Sequence, residues 1–132
     1  MTPEAGRYLA KARKTLDNAH AMLAASLNED AGRAAYLAAF HAAQALLFER
    51  LGKVFKTHKG VHTEFQRLTR DDRELDTDLR TFLSHSYDLK SIADYETGPG
   101  SSISAERAAA AVEGAENFVA HFAGAIDPGN AR

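Results

Sequence analysis

The chain has 132 residues, 45% of them hydrophobic and 26% charged, with a formal net charge of −2. A folded chain of this size buries about two-thirds of its extended surface, enough for one core and not for two domains. The absence of cysteine excludes disulfides, zinc-thiolate sites and cysteine nucleophiles, and the charge balance excludes a strongly basic nucleic-acid coat while leaving room for a local patch.

There are 26 alanines against seven valines and isoleucines together, a balance that disfavours strands and predicts an all-α protein. Thr2 caps a first helix with Pro3 at its first position, and the stripe of Tyr8, Leu9, Ala12, Leu16, Ala19, Leu23 and Leu27 carries it to about Leu27. Asn28-Glu29-Asp30 supplies capping chemistry for a second, most hydrophobic helix through Tyr36, Phe40, Leu47 and Leu51 to a C-terminal Gly52, expected to sit centrally. Thr57 caps a shorter helix with Val61, Phe65 and Leu68, and Thr69 to Arg73 reads as a polar turn. Leu75, Leu79, Phe82, Leu83, Tyr87 and Leu89 mark a fourth helix ending near Tyr95. Gly98-Pro99-Gly100-Ser101-Ser102 reads as a flexible loop, and Ser104 caps a fifth helix. One domain over 1–126 with a frayed tail over 127–132 is expected. No apolar run of eighteen residues and no leader-like N-terminus is seen, so the chain is expected to be cytoplasmic with no membrane association.

Three groups of residues carry chemical potential. His58 and His62 stand at the i, i+4 spacing of metal-binding imidazoles, but beyond Glu64 no third ligand is indicated, so no metal and no cofactor is expected and solvated histidines at a helix start are the simpler reading. His41 and His121 lie among apolar neighbours and are expected to be partly buried with satisfied hydrogen bonds, whereas His20 is expected at the surface. A basic cluster of Arg50, Lys53, Lys56, His58, Lys59, His62 and Arg67 is the local candidate for a phosphate-bearing partner, set against the plainer reading of a solvated connection. The fourth helix holds Arg80, His85, Tyr87, Lys90, Asp94 and Tyr95. A metal-free ribonuclease needs a base and a cation near the scissile phosphate, and these types supply both. Residues five apart on a helix are rotated by about 140°, so Arg80 with His85, or Lys90 with Tyr95, converge only through helix distortion or a second subunit. Asp94 pairing with Lys90 at i, i+4 is the simplest role for that carboxylate.

Four stretches together, Ala35-Tyr36-Leu37-Ala38-Ala39-Phe40-His41-Ala42-Ala43-Gln44-Ala45-Leu46-Leu47, Lys56-Thr57-His58-Lys59-Gly60-Val61, Ala93-Asp94-Tyr95 and the helix from Ala105 to Phe118, resemble the HEPN superfamily in order and spacing, most closely its small stand-alone members. The resemblance implies an up-and-down bundle of four to five helices that commonly forms a homodimer, often paired with a minimal nucleotidyltransferase as toxin and antitoxin. Active members share an Arg, a gap of four to six residues and a His, composing a metal-independent ribonuclease site across the dimer, and in some a nearby Tyr is nucleotidylated. Arg80 and His85 have that spacing, as do Arg13 and His20, so spacing alone does not select a pair. In the branch most resembled, an Arg precedes the Asp-Tyr by four residues. Lys90 stands there, able to hold a phosphate as a point charge and not bidentately, and Tyr95 stands where an active member would carry its His.

Three readings follow. The first is a HEPN domain that binds nucleotide, RNA or a nucleotidyltransferase partner through Lys53, Lys56, His58, Lys59, Asp94 and Tyr95, with Tyr95 or Tyr87 open to modification. The alternatives are a metal-independent ribonuclease toxin using Arg80, His85, Lys90 and Tyr95, and a purely structural helical dimer.

Overall fold

A computed structural model describes residues 1–98 and 102–127, and these form five α-helices with no strand among them. They are α1 (Pro3–Ala24), α2 (Asn28–Leu51), α3 (His58–Thr69), α4 (Thr77–Tyr95) and α5 (Ala105–Ile126). The chain is an all-α bundle, as its composition predicts. Most of the Gly98–Ser102 loop and all of the tail beyond Asp127 lie outside the described residues.

Local capping sets most of the helix starts. The side chains of Thr2, Thr57 and Ser104 accept hydrogen bonds from the backbone N–H groups of Ala5, Gly60 and Arg107, as their positions in the sequence imply. Gly52 closes α2 in the left-handed region at φ 67°.

Three boundaries differ from expectation. Helix α1 stops at Ala24, three residues short of Leu27, because Ser26 turns the chain at φ 63°. The N–H of Ser26 then bonds the Leu23 carbonyl at 3.0 Å and that of Leu27 the Met22 carbonyl at 2.9 Å, a Schellman closure made without glycine. Leu27 therefore leaves the core face and is 50% exposed. The second difference is at α2, which has no side-chain cap; Asn28 is already helical. Glu29 reaches instead across the fold, accepting the N–H of Ile103 at 3.1 Å and tying down the approach to α5. Thirdly, Asp76 caps α4 by accepting from the Asp78 N–H at 2.7 Å, so Leu75 belongs to the preceding turn, although it is buried.

Helix α2 touches all four other helices, and its alanines explain how. Ala31, Ala35, Ala38, Ala39, Ala42, Ala43 and Ala45 are fully covered, which brings neighbouring backbones close on every side. One part of the core is lined by small residues of α1, α2 and α5 with Leu89 and Ile103; the other is filled by the rings of Phe65, Phe118 and Phe122. Gly114 is required by the second arrangement, because a Cβ there would stand 2.9 Å from Phe82 Cδ1 and closer still to Cε1 of that ring. His121 is exposed with its ring edge-on to Phe122, not partly buried as its neighbours suggest. His41 is partly buried and bonds Gln44 Oε1 at 2.8 Å, and His20 is exposed beside Glu116.

Candidate functional site

The polar residues of the bundle gather where α2, α3 and α4 meet. Tyr36 projects from α2 with no exposed surface, and a buried phenol must find a partner for its hydroxyl. It finds two: His58 Nδ1 and His62 Nε2 both lie 2.8 Å from the Tyr36 oxygen. The phenol has one proton, so it donates to one imidazole while the other imidazole donates its N–H to the phenol oxygen. Tyr87 of α4 closes the cluster, its ring edge-on to Tyr36 at 5.2 Å between centroids.

This corrects the reading of His58 and His62 as solvated residues at a helix start. Their i, i+4 spacing does put both on one face, but that face is turned inward onto Tyr36. Glu64, the remaining candidate for a third metal ligand, pairs with Arg67 instead. Burial lowers the pKa of both imidazoles, with the Lys90 and Arg33 charges adding to the effect at His58 against the opposing pull of Asp94, and His58 adding to it at His62. Burial, and secondarily Tyr87, raises that of the Tyr36 phenol. The cluster is therefore neutral around pH 7.

Beside it lies a charged triad. Asp94 receives Lys90 Nζ at 3.0 Å from one turn earlier on α4, and Arg33 Nε at 2.7 Å from α2. The hydrogen bond to Asp94 raises the Lys90 pKa against the opposing effect of burial. Burial alone would raise that of Asp94, but the hydrogen bonds from Lys90 and Arg33 outweigh it and the net shift is downward. Two cations on one carboxylate leave the group with a net positive charge. Lys90 is 8% exposed, while Tyr95 at the last turn of α4 is 72% exposed.

Lys90 and Tyr95 do meet within one chain, contrary to the rotation argument. Lys90 Nζ is 3.4 Å from the Tyr95 oxygen and 5.0 Å from the centre of its ring. Backbone rotation of about 140° places their Cα atoms apart, but the long lysine stem folds back toward the helix end and the tyrosine ring spans the remaining gap.

The other candidates are placed differently. Arg80 faces α3, donating through Nη2 to the Asp72 carbonyl, and shares a cleft with Thr63, Gln66, Arg67 and Arg70. His85 is exposed on the α5 side of the same helix, in a cleft with Arg107. These two side chains do not share a cleft within one chain. Lys53 and Lys56 are exposed in the connection between α2 and α3, which Gln44 anchors by donating to the Phe55 carbonyl at 2.8 Å. Lys59 lines an open cleft of about 290 Å³ with His58, His62, Thr63 and Tyr87.

Arg33 and Tyr36 belong to the site although sequence reasoning does not single them out for it. Tyr36 reads as core because it sits on the most hydrophobic helix; the available signal is its hydroxyl, which burial obliges to find a partner. Arg33 carries no such signal, since its partner lies 61 positions away.

No helix of the described residues is long and apolar enough to cross a membrane. No curated protein matches the chain. A family model described as HEPN domain matches residues 5–124, spanning all but the outermost turns of the bundle described above, and the chain belongs to the HEPN domain family.

Proposed function

We propose that the face where α2, α3 and α4 meet binds the phosphate of a nucleotide or of RNA. The observation that carries this reading is the Arg33–Asp94–Lys90 triad, whose excess cation lies against the largely exposed Tyr95 ring. Lys90 and Arg33 supply charge for a phosphate, Lys59 supplies more from the neighbouring cleft of His58 and His62, and Tyr95 offers a ring face on which a base stacks. Of the neutral imidazoles of His58 and His62, the one that accepts the Tyr36 proton keeps its own N–H free to donate, without adding charge. In a titration of purified protein with a nucleoside monophosphate and with single-stranded RNA at low salt, Lys90→Met and Tyr95→Ala weaken binding several-fold. Binding that is absent, or indifferent to both substitutions, refutes the reading.

A second reading has its own observation, because the exposed Tyr95 oxygen lies beside the Lys90 ammonium. The phenol oxygen is the nucleophile such a modification needs, and its exposure leaves it open to a partner's active site. A partner nucleotidyltransferase would form the bond from the Tyr95 oxygen to the α-phosphorus of a nucleoside triphosphate, releasing pyrophosphate while the phenol proton passes to solvent. Incubation with such an enzyme then adds one nucleotidyl mass, lost in Tyr95→Phe. A ribonuclease built on Arg80 and His85 requires the two residues to come from different protomers of a homodimer. RNA cleavage in EDTA that is lost in His85→Ala would move the assignment to that reading.

A further inference from the structure

A second cleft of about 400 Å³ opens between α3 and α4, lined by Thr63, Gln66, Arg67, Arg70 and Arg80. Three arginine side chains line it and no carboxylate is among the lining residues. Glu64 neutralises Arg67 from outside the cleft, whereas Asp71 stands 4.0 Å from Arg70 with both side chains largely in water, where such a pair holds little. Arg80 has no carboxylate partner among the described residues. Its Nη2 is spent on the Asp72 carbonyl, and its Nε is covered and has no acceptor at all. Gathering like charges in one cleft is unfavourable for the free protein, and a buried donor without an acceptor adds to the cost. An oxyanion in the cleft relieves the repulsion, and the planar guanidinium fork matches phosphate geometry.

The cleft is not isolated. Thr63 borders it and also borders the cleft of His58, Lys59 and His62, so the two join along the exposed side of α3. The helix has 12 residues and is about 18 Å long, longer than one nucleotide.

We infer that Arg67, Arg70 and Arg80 form a second phosphate site, continuous with the first along α3, so that the groove takes an extended phosphodiester strand and not a single nucleotide. This rests on the reading of the α2–α3–α4 face as a phosphate-binding surface.

The test compares a 5′-mononucleotide with single-stranded oligoribonucleotides of increasing length, by fluorescence anisotropy over a range of salt concentrations. Arg67→Gln with Arg70→Gln removes two exposed side chains, and a melting curve verifies that the fold is kept. That variant is expected to bind the longer strands at least about tenfold more weakly. Its dependence of log K on log salt is expected to flatten by about 0.7 for each phosphate that is no longer neutralised. Mononucleotide affinity stays unchanged, whereas Lys59→Gln with Lys90→Met weakens both ligands. If the arginine variant leaves long-strand affinity and salt slope intact while the lysine variant weakens binding, the inference falls and the reading of the first site stands. If the lysine variant is also without effect, both fall. Displacement of RNA by polyglutamate at equal charge concentration would mark a groove for acidic polypeptide and would overturn the inference too.

Discussion

Replacing Tyr36 with phenylalanine removes one oxygen atom and keeps the ring that packs on Phe40 and Tyr87. The oxygen makes two hydrogen bonds of 2.8 Å, to His58 and His62, from a side chain with no exposed surface. Each such bond contributes roughly 0.5–1.5 kcal/mol net. Both imidazoles are only partly buried, so water recovers some of the loss, and the expected destabilisation is about 1–2 kcal/mol. For a domain of this size that corresponds to a fall in Tm of roughly 4–8 °C. Urea titration at about pH 8, where the imidazoles are neutral, measures it directly. Adding His62→Leu should cost less than the sum of the two single changes, because the ring nitrogen stranded by the first substitution is removed by the second. A Tyr36→Phe variant within about 0.3 kcal/mol of the parent, with strictly additive behaviour in the double variant, would refute the view that the phenol organises this junction.

Four further outcomes are expected. The pKa values of His41, His58 and His62 are all lowered, by burial first in each case, so the folded state prefers them neutral and the unfolded chain binds more protons in acid. Stability is therefore fully present above about pH 6.5 and falls as pH drops through the lower folded-state values; a urea midpoint that stays flat between about pH 7 and 5 would contradict this. Asp94→Asn leaves Lys90 and Arg33 without their shared carboxylate, and after allowance for solvent screening costs about 1 kcal/mol, read from the urea midpoint. Gly114→Ala gains about 1 kcal/mol of helix propensity but drives a methyl group into the Phe82 ring, so thermal melting should show net destabilisation of about 1–2 kcal/mol. Ser26→Gly relieves the left-handed strain at the end of α1 and should raise stability by about 0.5–1 kcal/mol, with an unchanged or lower Tm counting against the Schellman assignment.

The number of helices, their capping by Thr2, Thr57 and Ser104, and the central place of α2 were legible in the sequence, because each depends on residues within one or two turns of chain. The Lys90–Asp94 pair was legible for the same reason, lying at i, i+4. The tertiary structure alone decided which way a polar face points. His58 and His62 carry the same spacing whether they face solvent or core, and the packing of α3 on α2 turned them onto a phenol 22 and 26 positions away. It likewise brought Arg33 to Asp94 across 61 positions, and it separated Arg80 from His85 by setting one toward α3 and the other toward α5. Periodicity records which residues share a helix face. The rotation of each helix against its neighbours is set by how the whole core fills its space, and that information is spread over the entire chain.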